Sequence, residues 1–290
     1  MSDMRQGSRR GSLPPFAVIL GTNEIASAIA VNLFWSGYAV ILSHDPMPPV
    51  IRRRMAFHDA LFDDTASVAG VSAARAETSV EIRERLAAGP HVLVTKLGLL
   101  DLIVIGAIDI LVDARMNKYQ VTPDLRRLAQ RTIGVGPGFA GGFNCDMAVE
   151  TRPGSAGRLV TEGPTLAPDG VPSRLGGQGA ERFVRAQVAG RWHTAIEIGT
   201  RVYKDFLIGH LGGEPVRAPF DGVVRGVVRD GTEVPPGVKL LEIDPRGRTA
   251  NWTGIDTRAN AIAKGVMKAL TAPGAREAEP AAAPHVYLLK

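Results

Sequence analysis

Phe16-Ala17-Val18-Ile19-Leu20 is an unbroken apolar run, the pattern of a strand buried on both faces of a parallel sheet. From Glu24 to Ser36 the apolar residues Ile25, Ile29 and Leu33 recur at helical spacing, Ala26, Ala28 and Ala30 fill close-contact positions, and Gly37 supplies a stop. Tyr38 to Ser43 reads as a second strand. Strand, helix and strand within about thirty residues close by a right-handed crossover onto a parallel sheet, so the opening predicts a Rossmann-like domain. Strands at Val92–Thr95, Ile110–Asp113 and Thr132–Val135, and helices at Ser79–Ala88 and Thr122–Gln130, extend that expectation.

Glycine then divides the chain. Residues 16–133 hold six glycines and residues 134–270 hold 24, and the second stretch consists of short β-type runs separated by glycine and proline, which argues for an all-β module. Within it lies an internal repeat at a spacing of 32 residues: Val184-Arg185-Ala186 matches Val216-Arg217-Ala218, Gly190 matches Gly222, Gly199-Thr200 matches Gly231-Thr232, and Val202 matches Val234. Identities in register at turn-compatible glycines indicate a duplicated β half-unit, spanning 184–212 and 216–244. The second copy, Ala218-Pro219-Phe220-Asp221-Gly222-Val223-Val224 with the later Asp230-Gly231-Thr232, resembles a biotinyl/lipoyl-type half-barrel. That resemblance implies two halves closing into a flattened sandwich. Carrier domains of this kind acylate a lysine on the joining hairpin, but His210-Leu211-Gly212-Gly213-Glu214-Pro215 contains none, so a structural or docking module is expected instead of a swinging arm.

The fold class expected is therefore α/β plus all-β: a Rossmann-like parallel-sheet domain over 16–140, then a barrel-sandwich (biotinyl/lipoyl-like) β domain over 141–256. Helical periodicity returns at 257–270. Residues 1–15 and 271–290 read as flexible tails. The 290 residues suffice for two cores. The 34 basic and 29 acidic groups leave a net charge of only +5, and aromatics are 6% of the chain, so nothing marks a nucleic-acid surface. One cysteine, Cys145, excludes an internal disulfide and multi-cysteine metal sites, and the six histidines lack metal-type spacing. The apolar stretch Val92–Val112 is interrupted by Lys96, Asp101 and Asp109, too early to cross a bilayer. A soluble, cytoplasmic protein is expected, with no membrane or nucleic-acid partner.

Candidate ligand residues cluster where strands end. Gly21-Thr22-Asn23 occupies the strand-to-helix turn that holds a pyrophosphate in dinucleotide folds, although the other two glycines of that motif are replaced by Asn23 and Ala26, and Glu24 adds a carboxylate. Asp45 stands about where a ribose-binding acid would, or is simply a loop residue before Pro46. Arg52-Arg53-Arg54 either holds a phosphate or is a solvated face, and at most two of the three can reach one ligand. Asp113 and Arg115 end one strand. The loop Gly134-Val135-Gly136-Pro137-Gly138, with Gly136 and Gly138 most suited to close approach, ends the next and serves either a ligand or an interdomain hinge. Asp244 and Arg246 could pair across a turn or face the crevice. Cys145 has no basic neighbour in sequence and reads as a packed residue.

Taken in order, Arg52-Arg53, Asp113-Ala114-Arg115-Met116, Gly134 to Phe139, Val149-Glu150-Thr151, Ala218-Pro219, Arg225-Gly226, Ile243-Asp244-Pro245-Arg246 and Ala261 to Met267 resemble the YqeB-type molybdenum-hydroxylase accessory proteins, often labelled selenium-dependent or xanthine dehydrogenase. The match runs from about Phe16 to Leu270. It implies maturation of a molybdenum-enzyme client, with a nucleotide or molybdopterin cofactor in the crevice. A nucleotide-dependent oxidoreductase or transferase and a non-catalytic docking scaffold are the alternatives.

Overall fold

A computed structural model describes residues 13–117 and 121–272; the expected tails fall mostly outside them. The chain builds β1 (Phe16–Leu20), α1 (Glu24–Trp35), β2 (Ala39–Ser43), α2 (Ala60–Asp63), β3 (Thr65–Val68), β4 (Val71–Arg75), α3 (Ser79–Ala87), β5 (Val92–Thr95), α4 (Leu99–Leu102), β6 (Ile110–Asp113), β7 (Arg131–Val135), β8 (Met147–Val149) and β9 (Leu159–Val160). These nine strands form one sheet in the order β3-β4-β5-β2-β1-β6-β7-β8-β9. Its centre is parallel, and every residue of β1, β2, β5 and β6 is buried, as their unbroken apolar runs require. Both edges are antiparallel. At the β3–β4 edge, Ala69 and Gly70 both take positive φ (49° and 80°), the turn geometry that closes a two-residue hairpin.

The second half supplies β10 (Phe183–Arg185), β11 (Gly190–His193), β12 (Arg201–Val202), β13 (Leu207–Leu211), β14 (Glu214–Arg217), β15 (Gly222–Val227), β16 (Glu233–Val234) and β17 (Lys239–Asp244), followed by α5 (Thr257–Thr271). They form two four-stranded antiparallel sheets, β10-β17-β15-β12 and β14-β13-β11-β16. A shift of 32 residues carries β10 onto β14, β11 onto β15, β12 onto β16 and β13 onto β17, and so carries one sheet order onto the other. Trp192 is fully buried between them and donates its ring N–H to the Val228 carbonyl at 3.1 Å.

The expected Rossmann-like domain followed by a barrel-sandwich is corrected by this topology. The large sheet is mixed, continues past residue 140 through β8 and β9, and is completed by α5 from the far end of the chain; the two antiparallel sheets are threaded between β9 and α5. Helix α5 buries Ala259, Ile262, Ala263, Val266 and Ala269 along one stripe, against α1 and the sheet. Each fully buried Ile or Val contributes roughly 1.5–3 kcal/mol. Gly265 allows the contact to close: a Cβ there would overlap the backbone of Gly157 in the β8–β9 turn. One main-chain and one side-chain hydrogen bond join the halves here, the Val227 amide donating to the Ile51 carbonyl at 2.8 Å and Arg53 Nε to the Val227 carbonyl at 3.0 Å.

The helix expected at Thr122–Gln130 is absent; that stretch is irregular, with turns and bends from Arg126 onward. Arg127 has φ +74°, which a right-handed helix excludes, and the Asp124 carboxylate accepts the Arg126 amide at 3.0 Å in a local turn that competes with helix. Among the described residues no helix is long and apolar enough to cross a membrane.

Candidate functional site

A cleft of about 380 Å³ separates the carboxyl edge of the large sheet from the antiparallel sheets. The loops after β6, β7 and β8 bring Met116, Pro137 and Glu150–Pro153 to one wall, and β15, β17 and the segment entering α5 bring Arg225, Glu242, Arg246 and Asp256–Arg258 to the other. Crevices beyond the carboxyl ends of parallel strands are where ligands sit in open α/β sheets.

The cleft is dominated by guanidinium groups. Glu242 is fully buried and accepts from three sides: Arg52 Nε at 2.7 Å, Arg52 Nη2 at 3.2 Å and Arg182 Nε at 2.9 Å, with Arg225 Nε at 3.5 Å as an ion-pair neighbour. Burial alone would raise its pKa, but Arg52, Arg225 and Arg182 hold the carboxyl down to about 2. Arg52 also meets Glu24 at 3.0 Å and Asp256 at 3.5 Å, so despite burial its charge is held above the ordinary range. Asp256 does two jobs, capping α5 through the Ala259 amide at 2.7 Å and pairing with Arg225 at 2.9 Å.

Other cations are less well answered. Arg258 donates twice to the Thr151 carbonyl, at 2.9 and 3.1 Å, and burial, with Arg52 nearby, lowers its pKa although Glu24 and Asp256 oppose the shift. Arg225 is only 5% exposed and, besides its Asp256 pair, donates to the Asn251 carbonyl; burial first, then Arg52, lowers its pKa against Glu242 and Asp256. The Nε atoms of Arg225 and Arg152 are buried without a hydrogen-bond partner, and a buried donor left open costs about 1–3 kcal/mol. Glu150, buried at the cleft wall, is already satisfied by the amides of Thr151, Arg152 and Leu166 at 2.7–2.9 Å.

Of the twelve residues singled out in the sequence, Arg52 and Arg246 line this cleft. Arg246 folds its fork onto Asp244, at 2.7–3.2 Å, which realises the pairing across a turn and also places the arginine on the cleft wall. Arg115 does the same to Asp113, at 2.6–3.1 Å, and reaches Asp45 at 3.7 Å. Asp45 meanwhile accepts the Met47 amide at 2.9 Å. Arg53 turns away to Asp59 at 2.6 Å. Gly136 has φ +92° and packs beneath Met116, with its carbonyl taking the Thr165 hydroxyl at 2.7 Å. Gly138, at φ +90°, offers its carbonyl to Asn144 at 2.8 Å.

Several groups of the turn at Gly21 are engaged within the protein. Gly21 donates its amide to the Ser43 carbonyl at 2.8 Å, and its φ of +109° with the Ala114 oxygen 3.0 Å from a would-be Cβ admits only glycine. Asn23 caps α1, its Oδ1 accepting the Ile25 and Ala26 amides at 3.0 Å while Nδ2 donates to the Ala114 carbonyl at 2.8 Å. The Thr22 hydroxyl lies between the Nδ1 atoms of His58 (3.0 Å) and His44 (3.3 Å). Cys145 is buried and its thiol is pushed up to about 12 by that burial, which makes it a packed residue and a poor nucleophile.

Sequence reasoning passed over Arg152, Arg182, Glu242, Asp256 and Arg258. Glu242 did carry a signal: it interrupts the apolar run Leu240-Leu241-Glu242-Ile243, as Arg225 interrupts Val223-Val224-Arg225-Gly226-Val227. An ionisable residue inside a buried strand needs a partner of opposite charge.

No protein-family model matches the chain. Its sequence is 34% identical over 262 residues to YqeB of Escherichia coli (strain K12), a protein whose name states no activity; the match takes in 87% of this chain and 47% of that protein, so the chain spans about half the length of its relative. Solved structures that overlap it include an aspartoacylase family protein from Mesorhizobium loti, covering 82% of this chain and 88% of that one, and a succinylglutamate desuccinylase/aspartoacylase family protein from Shewanella amazonensis, covering 81% and 92%. Both are 12% identical, with TM-scores of 0.26 and 0.24, values that define no common fold. The molybdenum-cofactor and xanthine dehydrogenase expectation finds no support here: the relative's name states no activity, and the overlapping structures belong to aspartoacylase and desuccinylase family proteins. The comparisons support a kinship of sequence with YqeB that runs through 87% of this chain.

Proposed function

We propose that this protein binds a small anionic ligand, of the phosphate-ester class, in the arginine-lined cleft. The observation that carries the reading is the guanidinium cluster on the cleft wall, which includes Arg225: 5% exposed, paired with Asp256, and with an Nε that makes no hydrogen bond although Glu242 lies 3.5 Å away. Arg258, bonded to a carbonyl and held at no carboxylate within ion-pair distance among the described residues, adds positive charge that an oxyanion would answer. Arginine forks suit phosphate because two parallel N–H groups match two oxygens. A nucleotide is one member of this class, entering by its phosphates at the cleft; at the Gly21 turn the glycine amide, the Thr22 hydroxyl and the Asn23 side chain are already bonded within the protein.

Calorimetry with inorganic phosphate, pyrophosphate, ATP and succinate tests this. Saturable heat with a phosphate compound is expected, and Arg258→Gln, which keeps donors but removes the charge, should weaken it about tenfold or more, as the loss of a charge-assisted hydrogen bond does. Absence of heat with all three phosphate compounds would overturn the reading.

A further inference from the structure

One wall of the cleft is a strap. Residues 166–173 contain no helix or strand, yet Leu166, Asp169, Val171 and Ser173 all face the cleft. Both ends are anchored in protein. At the first, Thr165 donates its amide to the Phe139 carbonyl at 2.8 Å and its hydroxyl to the Gly136 carbonyl at 2.7 Å, and the Leu166 amide donates to Glu150 at 2.9 Å. At the second, Arg182 donates to the Ser173 carbonyl at 2.6 Å. Between them the backbone turns at Gly170 (φ +71°), Val171 is 66% exposed, and among the described residues the ion pair tying it to the rest of the protein is Asp169 Oδ2 to Arg152 Nη2 at 2.8 Å.

That pair is half-made on the arginine side. Arg152 offers a fork, Nε and Nη2 in one plane, that matches two oxygens of a single oxyanion. Asp169 engages Nη2 with one oxygen while its other oxygen accepts the Val171 amide at 2.9 Å. Arg152 lines the cleft, and its Nε is buried behind the pair without a hydrogen-bond partner. A carboxylate thus sits where an anion would sit, and uses only part of what the site provides.

We propose that Asp169 is an internal placeholder for the ligand's anionic group at Arg152, and that an incoming oxyanion displaces it by taking both arms of the fork, which frees the strap. The inference rests on the cleft being an anion site. It adds that the strap competes with the ligand, so the protein senses occupancy through the order of residues 166–173.

The test uses the full chain, pyrophosphate as probe, and two readouts: calorimetric affinity and hydrogen–deuterium exchange of the 166–173 amides. Asp169→Asn keeps an oxygen for the Val171 amide and removes the competing charge. It should bind pyrophosphate about two- to fivefold more tightly, the range expected for releasing one exposed ion pair. Its strap should exchange faster without ligand, to the level that wild type reaches when saturated. Arg152→Lys, which keeps the charge and loses the fork, should bind more weakly than wild type. If wild type binds pyrophosphate and Asp169→Asn binds it equally or less tightly, or if the strap becomes more protected on binding, the placeholder is wrong and the cleft reading stands. If neither protein binds pyrophosphate or ATP, both readings fall.

Discussion

Two turns on the same carboxyl edge of the large sheet meet opposite fates. At Gly21–Asn23 polar groups are engaged inside the protein: the glycine amide donates to Ser43, the Asn23 side chain accepts from the first turn of α1 and donates to Ala114, and the threonine hydroxyl lies between two imidazoles. In the arginine cleft, by contrast, lining cations outnumber lining carboxylates, and the buried Nε atoms of Arg152 and Arg225 make no hydrogen bond. The resemblance of a turn to a phosphate loop says little until its hydrogen bonds are accounted for. What marks a ligand site here is polar capacity left over after folding.

The sharpest way to break this contrast is to remove the one buried acid that holds three cations. Glu242→Ala should destabilise the protein by about 3–5 kcal/mol, because Arg52, Arg182 and Arg225 would be left buried without it. Urea unfolding would read this, and a loss below about 1 kcal/mol would mean that solvent already answers those charges.

Next in size is the turn region's dependence on pH. His58 is 6% exposed, and burial, then His44, Arg53 and Arg229, lower its pKa from 6.5 to about 3. The unfolded chain then binds the extra proton below pH 6.5 while the folded protein does not. Stability is fully present above 6.5 and is lost as pH falls towards 3, by about 1.4 kcal/mol per pH unit. His58→Gln, which can still meet the Thr22 hydroxyl, should flatten the denaturation profile between pH 7 and 5, and an unchanged slope would assign the effect to other groups.

The smallest expected effect separates the two regions most cleanly. Asn23→Ala removes the cap of α1 and should cost about 1 kcal/mol of stability while leaving the affinity of the cleft for pyrophosphate unchanged. A parallel loss of affinity would show that the Gly21 turn belongs to the ligand site after all. Arg258→Gln is expected to show the reverse, a binding defect with little change in melting temperature.

The parts of the fold that sequence disclosed are local. β1, α1 and β2 were readable because five consecutive apolar residues and a four-residue apolar spacing are each set within one element. The 32-residue repeat was equally visible, and it runs through both antiparallel sheets. Thr122–Gln130 misled because its spacing suits a helix while Asp124 and the positive φ at Arg127 build turns instead. The mixed character of the large sheet was hidden for a different reason: its antiparallel edges come from the short hairpins β3–β4 and β8–β9, whose residues carry little periodic signal.

What the amino-acid sequence determined by itself, then, is which segments must be buried and where the chain must turn, since apolar runs and glycine positions act over a few residues. Only the tertiary structure decided which arginines are neutralised. Arg52 meets Glu242 across 190 residues and Asp256 across 204, and Arg225, 31 residues from Asp256, keeps one donor open. Charge pairing depends on distance in space and on exclusion of water, and neither exists until the two antiparallel sheets have closed against the edge of the large one.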